Sequence, residues 1–212
     1  MWDNAYCVHH LTDTHDVILN MLEECRKAGH EDRALMFCSL SKVTFPGAGV
    51  AAMAASRRNI DYILKNMFPM IISFDKLNQV RHIRFLKDMD GLAAHMEKHR
   101  ALLEPKFRAV LAILDEGLSG CGSIARWTKP NGGYFLSLYT LGGCAKRTVQ
   151  LCREAGVVLT DAGAAYPYGV DPQDSNIRIA PTFPPLDELE TASRLLCVCV
   201  RIATLEKLLQ RQ

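Results

Sequence analysis

The stretch 34-ALMFCSLSKVTFPGAGVAAMAAS-56 decides the fold. Its first eight residues are apolar, bounded by charge on one side and by Thr44-Phe45-Pro46-Gly47-Ala48-Gly49 on the other, which predicts a strand buried on both faces. Val50 to Ser56 reads the same way. Upstream, the run from Asp16 to Gly29 sets Val17, Leu22 and Cys25 near one side with charges opposite, so an amphipathic helix closed by Gly29 is expected. Strand, helix, strand, glycine-rich loop and strand is α/β text, in which ligands gather at the carboxyl ends of the strands.

Beyond Arg57 the pattern turns helical. Short pieces are expected from Asp61 to Asn66 and from Lys76 to Arg84, and a long periodicity runs from Met89 to Leu118 with Pro105 placed to kink or divide it. Strands and helices then alternate: YFLSLY (134–139) as strand, AKRTVQLCREAG (145–156) as helix, VVLTDA (157–162) and NIRIAP (176–181) as strands, and a closing helix over 186–209. A boundary near residues 87 to 97 divides the chain into domains 1–90 and 91–212. No internal repeat or low-complexity run is present.

Composition excludes several classes of function. The 212 residues are 49% hydrophobic and carry a net charge of +2, so no concentrated basic field is available for nucleic acid. Apolar runs such as Val50 to Ala55 and Leu195 to Val200 fall far short of the ~18 residues a spanning helix needs. The first residues, MWDNAYCVHH, lack the pattern of a signal peptide, which leaves the cytoplasm as the expected location. Eight cysteines, none in a CxxC, read as small buried hydrophobes in a reducing compartment, and Cys197-Val-Cys199 has the wrong spacing for zinc. His9-His10 is a lone adjacent pair, and no metal site is expected.

The candidate chemistry begins at Ser39-Leu40-Ser41-Lys42. A lysine at the end of a buried strand is partly desolvated, which favours the neutral amine that Schiff-base chemistry uses. Hydroxyls one and three residues before it can bind a phosphate, and the glycines after it allow close backbone approach. On spacing alone, a strand-end lysine before a Pro-Gly turn reads first as an ordinary turn residue. Asp3 and Tyr6 add a carboxylate and a phenol that can share one strand-end crevice, the pair needed by a pyridine ring bearing a phenolic oxygen. Arg178, alone among apolar residues in NIRIAP, calls for a carboxylate partner, and where no protein acid serves the partner is the substrate's. Pro130-Asn131-Gly132-Gly133-Tyr134-Phe135 forms a turn into a strand.

In this order and at these separations the four segments resemble the C-terminal half of the pyridoxal-phosphate aminotransferases of the class I/II, fold-type I family. The text SLSKVTFPGAGVA, with DNAYCVHHL before it, looks most like the MocR-like aspartate aminotransferase branch. The resemblance implies an α/β fold, the end of the large-domain sheet (1–90) followed by the small α/β domain (91–212). It implies pyridoxal 5'-phosphate as cofactor, with Lys42 as its Schiff-base lysine and catalytic proton carrier, Asp3 at the pyridinium nitrogen, Tyr6 at the phenolic oxygen, and Ser39 and Ser41 at the phosphate. Arg178 would bind the substrate's α-carboxylate, the substrates being an amino acid such as aspartate and a 2-oxo acid. The family's usual arginine after the lysine is absent, and Arg57 or Arg58 could meet the phosphate charge instead. Family members are roughly twice this length and are usually homodimers, so the chain is expected to be a fragment, inactive alone. Other activities on the same scaffold are a non-catalytic ligand-sensing domain of a transcription regulator, a carbon–sulfur lyase and a non-catalytic remnant.

Overall fold

The computed structural model describes residues 1–121 and 124–210, which form two units, Met1–His99 and Arg100–Gln212. The first unit is built on a three-stranded sheet in the order β1-β2-β3: β1 (Trp2–Asp3), β2 (Leu35–Ser39) and β3 (Ala51–Ala55). β1 runs parallel to β2, with Asp3 opposite Phe37, and β3 runs antiparallel to β2. The expectation that both apolar runs are strands holds, but the expectation of burial on both faces does not. Leu35, Met36 and Phe37 are half-buried, Cys38 is exposed, and Ala51, Ala52 and Ala54 of β3 face solvent.

The first helix is shorter than its periodicity suggests. α1 covers Met21–Lys27, because the Asn20 side chain accepts the Glu23 N–H and sets the start there. Val17, Ile18 and Leu19 lie outside it and are exposed. At the other end the His30 N–H bonds the Cys25 carbonyl and Gly29 takes a left-handed φ of 71°, the conformation glycine adopts freely. α2 (Arg57–Met67) and α3 (Lys76–Leu86) each extend beyond the expected pieces, capped by Ser56 and Asp75 through Asn59 N–H and Asn78 N–H. α4 (Met89–Leu118) is one helix with Pro105 inside it, so the proline does not divide it. The two turns that follow bury Phe107, Val110 and Leu114, and that packing carries the helix past the lost hydrogen bond.

The second unit has an antiparallel sheet in the order β4-β5-β6: β4 (Ala125–Trp127), β5 (Leu136–Thr140) and β6 (Asn176–Ile179), packed with α5 (Ala145–Glu154) and α6 (Leu186–Leu209). Strict alternation on β5 buries Leu136, Leu138 and Thr140 and half-covers Ser137 and Tyr139, and Ile177 and Ile179 of β6 complete the inner face. Val149 and Cys152 of α5, with Leu196, Val200 and Ala203 of α6, close over it. The expected strand at 157–162 is not formed. The Val157 N–H instead bonds the Cys152 carbonyl, with Gly156 at φ 91°, so the segment finishes α5 and does not join the sheet. β4 is a strand that the sequence pattern did not suggest. No described helix is long and apolar enough to cross a membrane.

Candidate active site

Because β1 and β2 are parallel, their carboxyl ends open along the same edge of the sheet. Asp3 closes β1, and its carboxylate accepts the Ala5 N–H at 2.9 Å, turning the chain toward Tyr6. Tyr6 is half-buried, and its ring meets His9 edge-on at 5.5 Å. Ser39 closes β2. Its hydroxyl donates to Ser41 Oγ at 2.8 Å and accepts the Ser41 N–H at 3.0 Å, so the two hydroxyls form one paired unit.

Lys42 lies one residue further on, in a turn closed by Val43 N–H and Thr44 N–H onto the Leu40 carbonyl at 3.0 and 2.9 Å. Its neighbour Val43 is buried while Lys42 itself is exposed, so the expected desolvation of the lysine is absent from these residues. The Leu40 N–H bonds the Val50 carbonyl, bringing the glycine loop back across the turn. Gly49 has no room for a side chain: a Cβ there would strike Ser41 Oγ.

Histidines surround this turn, which no sequence pattern singled out apart from the His9-His10 pair. His9 Nε2 meets the Lys42 carbonyl at 3.1 Å, His95 Nε2 the Val43 carbonyl at 2.7 Å, and His82 Nε2 the Thr44 hydroxyl at 2.7 Å. Phe85 packs edge-on to His95 at 5.0 Å, and His99 follows at 4.8 Å from His95. Burial pushes the His9 ring below its ordinary pKa, outweighing its hydrogen bonds to the Lys42 and Tyr6 carbonyls. Burial, then the neighbouring His95 and His9, lower His99. The i, i+4 spacing of His95 and His99 was the one available signal, since it places both on one helix face. His10 stacks on His15 at 3.6 Å, and no group of residues suited to a metal is present among the described residues.

The arginines considered for a phosphate are engaged elsewhere. Arg57 pairs with Asp61 at 2.9 Å and Arg58 with Asp32 at 3.4 Å, both exposed. In the second unit, Arg178 sits on β6 opposite Ser137, its guanidinium 4.8 Å from the Phe135 ring centre. Its Nε is buried without an acceptor, and no ion pair reaches it among the described residues. It lines a cavity of about 540 Å³ with Leu159, Thr160, Glu188 and Ser193. The Asp171 carboxylate fixes the entry to this strand by accepting the N–H groups of Gln173, Ser175 and Asn176.

A family model described as aspartate amino-transferase matches residues 1–212. A Mycolicibacterium smegmatis relative, named as an aminotransferase, is 49% identical over 209 residues, 99% of this chain and 49% of its own length. The aspartate aminotransferase of Corynebacterium glutamicum is 42% identical over 97% of this chain and 48% of its own length. The chain thus spans about half the length of the curated relatives it matches. The crystal structure of an aspartate transaminase from C. glutamicum superposes with a TM-score of 0.93 over 97% of this chain and 48% of that one. That of the alpha-aminoadipate aminotransferase of Thermus thermophilus, in complex with N-(5'-phosphopyridoxyl)-L-leucine, gives 0.75 at 21% identity over 95% of this chain and 50% of that one, a likeness of fold.

Proposed function

The chain belongs to the aspartate amino-transferase family, and from that premise we propose that it carries the lysine and carboxylate-binding half of an aminotransferase that moves an amino group from an amino acid, such as aspartate, to a 2-oxo acid. The observation that carries this proposal is the gathering of Asp3, Tyr6, Ser39, Ser41 and Lys42 along one sheet edge, at the carboxyl ends of two parallel strands. A carboxylate, a phenol, a paired hydroxyl and an amine are the donor set that pyridoxal 5'-phosphate requires, and Gly49 leaves the backbone bare beside the serines. When bound, the cofactor supplies an electron sink for the bonds at the substrate's α-carbon.

Each residue has a separate task. Asp3 would pair with the pyridine nitrogen and favour its protonated form. Tyr6 would donate its phenolic O–H to the ring oxygen. The Ser39–Ser41 pair takes the phosphate, with Arg57 and Arg58 held by Asp61 and Asp32. Lys42 would hold the cofactor through its amine and would carry a proton at the substrate's α-carbon. Arg178 takes the α-carboxylate, supported by its half-buried position on β6 and by its buried Nε, which lacks an acceptor that a ligand carboxylate could supply. The likeness of SLSKVTFPGAGVA to the MocR-like branch, the division at residue 90 into cofactor and small domains, and a cytoplasmic location belong to the same proposal. So does a homodimer, supported by the exposed run of Phe68, Met70, Ile72, Phe74 and Leu77. Alone, the 212-residue chain is expected to bind the cofactor weakly and not to turn over.

In a polypeptide extended to the length of the relatives, Lys42→Ala is expected to abolish the visible absorbance of the lysine-bound cofactor and to cost at least ~10³-fold in turnover. Normal turnover in that variant rejects the assignment. Arg178→Lys should weaken amino-acid binding far more than cofactor binding, since a point charge cannot reproduce the planar fork. Equal damage to both makes Arg178 structural.

A further inference from the structure

We propose that His9 and His95 are positioning residues for Lys42, holding the two peptide groups that follow its Cα so that its amine leaves the turn in one direction. This rests on the reading of Lys42 as the amine that takes the cofactor. A lysine side chain has four rotatable bonds and considerable rotamer entropy, and in this structure it is exposed, so burial does not confine it. What can be fixed is its root. The Lys42 and Val43 carbonyls belong to consecutive peptide planes, and each meets an imidazole Nε2, one from the loop after β1 and one from α4. A carbonyl only accepts, so both rings donate from Nε2. The Thr44 hydroxyl, third in line, sits between the Leu40 carbonyl at 3.1 Å and His82 Nε2 at 2.7 Å, while His82 Nδ1 is 2.8 Å from the Asn78 carbonyl.

The rings are themselves braced. His9 is buried with Tyr6 and His99 on its edges, and His95 is flanked by Phe85 and His99. Burial shifts His9 toward its neutral form, and Nε2 is the ring nitrogen that faces the Lys42 carbonyl. The turn is therefore held from outside itself, which two bonds onto the Leu40 carbonyl do not accomplish alone. A reactive group displaced by about 1 Å can lose on the order of 10²-fold in rate.

The test uses the 212-residue chain, pyridoxal phosphate and borohydride. The amine condenses with the aldehyde, losing water, and hydride from borohydride reduces the C=N bond to a stable secondary amine that peptide mass spectrometry locates. The readout is the ratio of initial labelling rates at Lys42 and at exposed Lys65, a ratio to which weak cofactor binding still contributes and which general unfolding drives toward one. His9→Phe combined with His95→Phe keeps ring volume and removes both donors. It should lower the ratio by roughly two- to tenfold, the worth of one or two hydrogen bonds, and speed amide exchange at Val43 and Thr44. His95→Gln, whose Nε2 can still donate, should restore the ratio where His95→Phe lowers it. A ratio unchanged in the phenylalanine variants, or equally low in the glutamine one, overturns the positioning role. A wild-type ratio near one overturns the reading of Lys42 itself, a distinguishable failure. Should the double variant not fold, the single His95 variants carry the same decision.

Discussion

Leu136 and Leu138 of β5 and Ile177 of β6 are fully covered, whereas Leu35, Met36 and Phe37 of β2 are only half-covered and β3 shows three alanines to solvent. Of the 23 buried apolar residues described, four lie in Met1–His99 and nineteen in Arg100–Gln212. The polar chemistry is distributed the other way. All seven histidines and five of the six candidate site residues fall in the first unit. The second unit holds most of the core and the first most of the candidate site residues, and the first leaves unfilled the faces that apolar strands normally bury.

That contrast is broken most directly by truncating both sheets. Leu138→Ala removes a fully buried side chain from the middle strand of the second unit and is expected to cost about 2 to 5 kcal/mol. Met36→Ala on the middle strand of the first should cost less, because that side chain is only partly covered and so gives up less buried area. Chemical denaturation of the two variants measures both. Amide exchange on the wild-type chain should agree, with β5 and α6 the slowest segments. Equal losses, or uniform protection from residue 3 onward, would show that the first unit has a core its exposure conceals.

Glycines sharpen the comparison at a smaller scale. A Cβ on Gly117 of α4 would lie 2.8 Å from Cys197 Sγ, itself buried in α6, so Gly117→Ala overpacks the second unit. Overpacking costs about 1 to 3 kcal/mol and the gain in helix propensity returns about 1, leaving a net loss of up to about 2 kcal/mol in thermal unfolding. Gly49→Ala should move the thermal midpoint less and yet slow Lys42 labelling, since what it displaces is the Ser39–Ser41 pair. The reverse pattern would place the functional glycine in the wrong unit.

The two units also differ in how much the sequence discloses. Local signals carried most of the second: the α6 bounds follow from the apolar period beginning after Pro185, and β5 from its strict alternation. They missed the short β4 and offered a false strand at 157–162, from β-branched residues whose backbone begins by finishing α5. In the first unit the candidate residues were legible because Asp3, Tyr6, Ser39, Ser41 and Lys42 lie within short segments at strand ends. The histidines around them were not. His9 reaches Lys42 across 33 residues and His95 reaches Val43 across 52, and contacts of that separation leave no periodicity behind. Nor could the exposure of Lys42 be read, since an apolar strand predicts cover without saying what supplies it.

The smallest expected effect is a difference in pH window. In the first unit, burial lowers His9, and burial followed by neighbouring histidines lowers His10 and His99. A histidine whose folded pKa lies below the ordinary value of about 6.5 leaves the unfolded chain holding more protons as the pH drops past that value. The stability it protects is therefore complete above about pH 6.5 and declines as acid is added. In the second unit, burial pushes the Asp171 carboxyl up, but the Ser175, Asn176 and Gln173 N–H groups and the Ser175 hydroxyl together hold it below its ordinary value. Glu206, hydrogen-bonded to Arg147, is lowered too. Carboxyls lowered in this way contribute fully above their ordinary values of about 4 and lose that contribution only as the pH falls through the folded ones. Between about pH 6.5 and 4.5 the first unit should thus lose protection while the second keeps it. Amide exchange at several pH values, corrected for the intrinsic rate, resolves the two by segment. Simultaneous loss, or earlier loss in β5 and α6, would mean that the histidine cluster does not set the acid response of the unit that holds it.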